Sequence, residues 1–308
     1  MSIKSIFHSI DVLICALLLS TYSLTTLAYS SEHSCPESTF LDTTMPCTEI
    51  INLAIGDIHI IDQGEGPVIF LLHAGPGDIR DYKAVIPSLS QHYRVIAVAW
   101  PGYGVSPAVG LPEENNVLTI YNSFVQLFDE LEISQATIIG NSIGGYVAAR
   151  YAIEYPDKVR NLVLVSSAGF TPRNFITNLL STIQGSQWSL TPAFFASIYI
   201  RNKTPLASEV IARAETIHST KKVKATTRAV WRSITLPEVD LSKSAMSITQ
   251  PTLLIYGKKD IIISNRLDGK VARKSMAHAT KVILNTGHVS FAEAPDAFLE
   301  VVLPFLEN

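Results

Sequence analysis

Short apolar runs alternate with longer amphipathic stretches along most of the chain, and the two periods together predict a mixed α/β body. Residues 49–55 and 58–62 are β-rich and flank Gly56-Asp57, which predicts an antiparallel opening hairpin turning at that pair. Residues 68–72, 95–99, 136–139 and 162–165 are continuous apolar runs, as expected of parallel strands buried on both faces. Residues 251–256 and 281–284 add two more strands, giving eight in a mostly parallel sheet. Helical segments separate them, notably 117–131 and 144–155. Beyond Ser166 the strand rhythm stops until Thr252. Helix-like stretches around 175–183, 192–200 and 207–217 fill that interval and predict a helical insertion after the sixth strand.

One strand-to-helix junction carries chemistry. Gly140-Asn141-Ser142-Ile143-Gly144-Gly145 lies between the apolar run 136–139 and the amphipathic stretch that begins at Tyr146, so Ser142 falls at a sharp turn. Glycines are needed where strand, serine and helix crowd together, and the helix N-terminus faces any anion that develops there. Taken alone, the stretch is also compatible with a serine that merely caps a helix. Its partners come downstream in the order Ser, acid, His. Asp260 follows the 251–256 strand in the turn Gly257-Lys258-Lys259-Asp260, and His288 follows the 281–284 strand in Asn285-Thr286-Gly287-His288. Both lie just past strand ends, where ligands bind in open parallel sheets.

The three residue types explain one another. A serine hydroxyl is a weak nucleophile at neutral pH, so an imidazole must take its proton, and a buried carboxylate must orient the ring and stabilise the imidazolium. Ser142 is therefore the candidate nucleophile, His288 the base and Asp260 the orienting acid. Ile143, which follows the serine, offers one backbone N–H for an oxyanion. Gly75, in the His73-Ala74-Gly75-Pro76-Gly77 loop after the 68–72 strand, offers the second. His73 precedes the elbow and reads as a brace of its own loop.

On these motifs the chain resembles the α/β-hydrolase superfamily, in the branch with a helical cap inserted after strand six. His73-Ala74-Gly75-Pro76-Gly77 is similar to the family's His-Gly-x-Pro oxyanion loop, with Ala74 in place of glycine. Trp100-Pro101-Gly102-Tyr103-Gly104-Val105-Ser106 is similar to its Asp-x-Pro-Gly-x-Gly-x-Ser turn, without the aspartate. The resemblance implies an α/β-hydrolase fold: a mostly parallel eight-stranded sheet flanked by helices, with a core of residues 49–168 and 245–308 and a cap of 169–244. It also implies a serine hydrolase that cleaves a carboxylic ester or similar acyl bond, carboxylesterase-like and without cofactor or metal. The elbow is also similar to that of meta-cleavage product hydrolases, which cleave carbon–carbon bonds, although Val289 stands where they commonly carry tryptophan. The His73–Gly77 loop is similar to that of proline iminopeptidases. A non-catalytic binding protein on the same fold is the alternative from another class. In the cap, Trp188, Phe194, Phe195, Tyr199 and Trp231 are candidate pocket residues.

Composition then sets limits. The chain has 308 residues, 47% of them hydrophobic, with formal charge −3, enough for one large core and a cap. Its lysines and arginines between Arg201 and Arg232 alternate with alanine, threonine and glutamate as a solvated helix surface would, so no nucleic-acid partner is expected. A small-molecule ester or acyl substrate is. At the N-terminus, Lys4, an apolar stretch from Val12 to Leu19 and the small residues of Ala28-Tyr29-Ser30 read as a signal peptide of residues 1–30, cleaved near Ser30. That predicts a secreted or periplasmic protein with no stable membrane span after cleavage. Cys15 lies inside the signal. Cys35 and Cys47 are the remaining pair, and in an oxidising compartment they are expected to form a disulfide in the leader, residues 31–48.

Overall fold

A computed structural model describes residues 48–307. The expected signal peptide and the Cys35–Cys47 disulfide fall outside the described residues. Eight strands form one sheet: β1 (Glu49–Leu53), β2 (Gly56–Gln63), β3 (Val68–Leu72), β4 (Arg94–Ala99), β5 (Ala136–Asn141), β6 (Val159–Val165), β7 (Thr252–Gly257) and β8 (Thr280–Leu284). Their order across the sheet is β1-β2-β4-β3-β5-β6-β7-β8, with β2 antiparallel to both of its neighbours, β1 and β4, and all the other pairings parallel. The opening hairpin turns two residues earlier than its glycine suggested. Leu53 pairs with Gly56, so Ala54 and Ile55 form the turn, while Gly56, at φ +135°, begins β2. The glycine's conformational freedom lets the chain re-enter the ladder at once.

The apolar strands are buried on both faces because their side chains alternate. Ile69, Leu71, Ile139, Val163, Val165 and Ile255 enter one core layer with Tyr82, Phe291 and Phe298. Phe70, Leu72, Ile138, Leu162, Leu164 and Leu254 enter the other. Helix α1 (Val117–Glu130) closes this second layer with Ile120, Phe124, Leu127 and Phe128, spaced as one helical stripe, and its N-cap Asn116 accepts from the N–H groups of Leu118 and Thr119. Phe124 meets Phe70 edge to face at 5.1 Å. Burying each such side chain stabilises the fold by about 1.5–3 kcal/mol.

Helix α2 (Ile143–Glu154) follows β5. Between β6 and β7 the chain leaves the sheet and forms α3 (Phe175–Gln184), α4 (Pro192–Tyr199), α5 (Pro205–Thr216) and α6 (Lys221–Ser233). Asn174, Thr191, Thr204 and Thr220 each cap one of these helices through the side chain, and proline occupies the first turn of α4 and α5, so every start is written locally. Helix α6 is the stretch whose charges read as a solvated surface. Its Val223, Thr226, Val230 and Ser233 are nevertheless buried, and Ser233 Oγ accepts the N–H of Val117 at 3.1 Å. Helices α7 (Asp268–Ser275) and α8 (Pro295–Leu306) complete the body. Among the described residues no helix is long and apolar enough to cross a membrane.

Strand β3 lies between β4 and β5, so the chain crosses to opposite sides after it, and the loops leaving β3 and β5 diverge. A crevice opens at such a switch point, at the carboxyl ends of the strands. The His73–Gly77 loop and the Ser142 turn are the two loops that border it.

Candidate active site

Ser142 follows directly on β5 at φ 54°, ψ −115°, a region L-residues rarely occupy. The turn is over-determined. Ser142 N–H donates to Val165 O at 3.1 Å, and Ser142 O accepts from the N–H groups of Tyr146 at 3.0 Å and Ala168 at 2.9 Å. A Cβ on Gly140 would lie 2.2 Å from Gly144 O, and one on Gly144 would lie 2.2 Å from Leu72 O. Only glycine at these two positions lets strand, turn and helix approach so closely.

Asp260 and His288 lie at the ends of β7 and β8 and meet, with Nδ1 of His288 2.7 Å from Asp260 Oδ2. The second carboxylate oxygen, Oδ1, accepts from the N–H groups of Ile262 at 2.8 Å and Ile263 at 3.1 Å. Burial pushes the Asp260 carboxyl up, but the His288 ring's attraction and hydrogen bond outweigh it and hold the group below the usual carboxylate range. Ionised Asp260 therefore accepts from Nδ1–H, which leaves Nε2 as the proton acceptor.

Two residues that sequence reasoning missed assemble this loop. Asn141, fully buried beside Ser142, donates from Nδ2 to Val165 O at 2.9 Å and to His288 O at 3.1 Å, which ties the serine turn to the histidine's own backbone. Glu293 is also buried. Its Oε2 accepts from the N–H groups of Gly287 at 2.8 Å, Arg201 at 3.0 Å and Asn202 at 2.8 Å, and its Oε1 accepts from Val289 N–H at 3.2 Å. One carboxylate thus holds the histidine loop and the end of α4 together. The available signal was a lone acid five residues past His288 in an otherwise apolar stretch.

The loop after β3 is braced from within. Trp100 N–H donates to His73 Nε2 at 3.1 Å, so the ring proton sits on Nδ1, which donates to Ala74 O at 2.6 Å. The Trp100 indole N–H donates to His73 O at 2.8 Å. Burial lowers the His73 pKa to about 4, and both ring nitrogens are occupied, so this histidine stays neutral and holds its loop. A Cβ on Gly75 would lie 3.0 Å from Ile143 Cδ1, so the two candidate oxyanion residues are neighbours. Neither the Gly75 nor the Ile143 N–H donates to an acceptor among the described residues.

The five cap aromatics separate. Phe195 and Trp231 line a cavity of about 230 Å³ that also touches Pro76, next to Gly75, and their rings meet edge to face at 5.6 Å. Tyr199 is buried beside the histidine, its ring 5.5 Å from that of His288 and its carbonyl accepting His288 N–H at 3.1 Å. The structure does not bring Trp188 and Phe194 to the cavity: they are 78% and 54% exposed. Once Thr191 and Pro192 set the start of α4, its turn carries Phe195 and Tyr199 inward and Phe194 outward.

Comparison with known proteins places the fold. The chain is 25% identical over 262 residues to a 2-hydroxy-6-oxo-6-phenylhexa-2,4-dienoate hydrolase of Burkholderia cepacia, covering 82% of this chain and 91% of that protein. It is 27% identical over 274 residues to an uncharacterized protein of Mycobacterium tuberculosis, covering 80% and 76%. Among solved structures, an enol-lactonase from Burkholderia xenovorans superposes with a TM-score of 0.71 at 21% identity, over 84% of this chain and 100% of that one. An esterase from Exiguobacterium antarcticum gives 0.71 at 22%, over 84% and 99%. The sequence model of the alpha/beta hydrolase fold matches residues 67–295, and with most of its length inside that match the chain belongs to the α/β-hydrolase-fold family.

Proposed function

We propose that the protein is a serine hydrolase that cleaves a carboxylic ester or similar acyl bond through an acyl-Ser142 intermediate. The observation that carries this reading is a strained elbow serine tied, through Asn141, to the backbone of a histidine whose ring is held by buried Asp260. Ser142 Oγ attacks the carbonyl carbon while His288 Nε2 takes the hydroxyl proton, and the oxyanion is received by the free N–H groups of Gly75 and Ile143. The carbonyl re-forms, the bond to the leaving alcohol breaks, and His288 returns its proton to that oxygen. Water then gives a proton to His288 and attacks the acyl carbon. The acid departs as the proton returns to Ser142 Oγ, and the enzyme is restored. Export, with cleavage near Ser30 and a Cys35–Cys47 bridge, belongs to the same proposal and rests on the composition of the leader.

The test is covalent labelling of the purified protein by a fluorophosphonate, alongside a p-nitrophenyl ester chain-length series. Labelling at Ser142, with loss of both label and turnover in Ser142→Ala, is the expected result. A folded protein that takes no label, or takes it elsewhere, sinks the proposal. Carbon–carbon bond hydrolysis is the second reading, favoured by the relatives that are 25% identical, one of which is named for a phenyl-hexadienoate substrate. Turnover of that dienoate faster than of any ester in the series would select it.

A further inference from the structure

Helix α6 turns an unneutralised cationic face toward the cavity beside the oxyanion loop. Lys224, Thr227, Arg228 and Trp231 all line it, and their spacing of three, four and seven residues is that of one helical stripe. The opposite stripe, with Val223, Thr226 and Val230, is buried against the body, so packing fixes which way the charges point. No acidic side chain lines the cavity. Elsewhere buried or half-buried arginines are matched: Arg80 with Asp78, Arg94 with Asp62, Arg150 with Glu154 and Arg213 with Asp81. Lys224 and Arg228 have no carboxylate within ion-pair distance among the described residues. Arg228 is steadied by one bond, Nε to Ser189 Oγ at 3.3 Å, and its two terminal nitrogens donate to no acceptor among the described residues.

Two like charges one turn apart repel, and a concave, partly apolar wall strengthens their joint field. A guanidinium fork with both ends open is matched by a carboxylate. Phe195, from α4, joins Trp231 to give the lining an apolar part, and Pro76 brings the cavity next to the Gly75 donor. We propose that this cavity is a subsite for substrates bearing a carboxylate at the far end of an apolar acyl chain, with Lys224 and Arg228 as its anion-binding residues. The proposal rests on the acyl-Ser142 reading for the position of the scissile carbonyl. It goes beyond that reading in naming the substrate class.

The experiment compares mono-4-nitrophenyl adipate with its neutral counterpart, methyl 4-nitrophenyl adipate. The wild-type protein should favour the acid in kcat/KM by about tenfold or more, as charge-assisted hydrogen bonds allow. In the Lys224→Gln/Arg228→Gln double variant the ratio should fall to about one, whereas Lys222→Gln, which removes an exposed charge of the same helix outside the cavity, should keep the wild-type ratio. Equal use of both esters by the wild type, or a preference that survives the double variant, overturns the proposal. Calorimetric titration of Ser142→Ala with hexanoate and with hexanamide reads the subsite without turnover. Hexanoate should bind more tightly than the amide, and equal affinities overturn the subsite even where Ser142 takes the fluorophosphonate. Selective hexanoate binding in a protein that takes no label supports the subsite and leaves only the hydrolytic reading refuted.

Discussion

Ser142 occupies a backbone conformation that costs of order 1–3 kcal/mol, and its neighbours maintain it. The return is exposure: an ordinary helix N-cap serine turns its hydroxyl back onto the helix, whereas Ser142 makes no such cap bond. Asp260 has a comparable division of labour within one side chain. Oδ1 is held by two backbone N–H groups, which leaves Oδ2 to orient His288. Replacing Asp260 with asparagine keeps the shape and removes the charge that would stabilise the imidazolium. Asp260→Asn is expected to lower kcat by about 10⁴ with little change in KM. Steady-state kinetics on a p-nitrophenyl ester checks this, and a loss confined to KM would show that the carboxylate serves binding instead.

At the scale of elements, the site is made from strand ends that do not touch one another along the chain. β5 supplies Ser142, β7 leads to Asp260 and β8 leads to His288. The parallel register brings these ends to the same edge of the sheet, but it leaves the long loop around His288 to be shaped by other groups. Glu293 does that by accepting four backbone N–H groups from two segments. Glu293→Gln keeps one acceptor oxygen and puts an amide NH2 against an N–H donor. The variant should lose about 1–3 kcal/mol of stability in urea unfolding and fall severalfold or more in kcat as the loop loosens. Wild-type stability in that variant would mean that the backbone groups find other acceptors at no cost.

Across the whole molecule, the cap is joined to the body by charge as well as by apolar packing. Arg213 of α5 meets Asp81 at 2.7 Å just beyond the oxyanion loop, and Asp78, beside it, is bound by Arg80. Burial pushes the Asp78 carboxyl up, but the hydrogen bond and charge of Arg80, with the charge of Arg213, outweigh it and hold the group well below the usual range. His218, packed near the same aspartates, is lowered by burial, as His73 is. For each of these histidines the sign of its contribution to stability follows from that direction. The folded state keeps His73 neutral to about pH 4, while an unfolded chain protonates it near 6.5. Its contribution is therefore complete above pH 6.5 and is lost as the pH falls from there toward 4, about 3 kcal/mol in all. His218 adds to the same slope. Urea midpoints measured from pH 7.5 to 4.5 should fall accordingly, and His73→Asn, less stable at neutral pH, should show a shallower decline. An identical decline in that variant would remove His73 as the cause.

By itself the sequence determined the eight strands, the burial of the central ones and the serine elbow, because each is written in adjacent residues: β-rich and continuous apolar runs and a glycine-flanked serine. It also marked Asp260 and His288, since both follow recognisable strands. Only the tertiary structure decided what depended on distant partners. Asn141 and His288 bond across 147 positions, and Glu293 joins the histidine loop to a segment more than 90 positions away. No local pattern encodes either contact. The same holds for rotation. The hydrophobic pattern located three of the four cap helices, but the packing of α4 chose Phe195 over Phe194, and the packing of α6 aimed Lys224 and Arg228 into a cavity although their spacing suits solvent equally well. A helix's period says that it has two faces, and only its neighbours decide what each face meets.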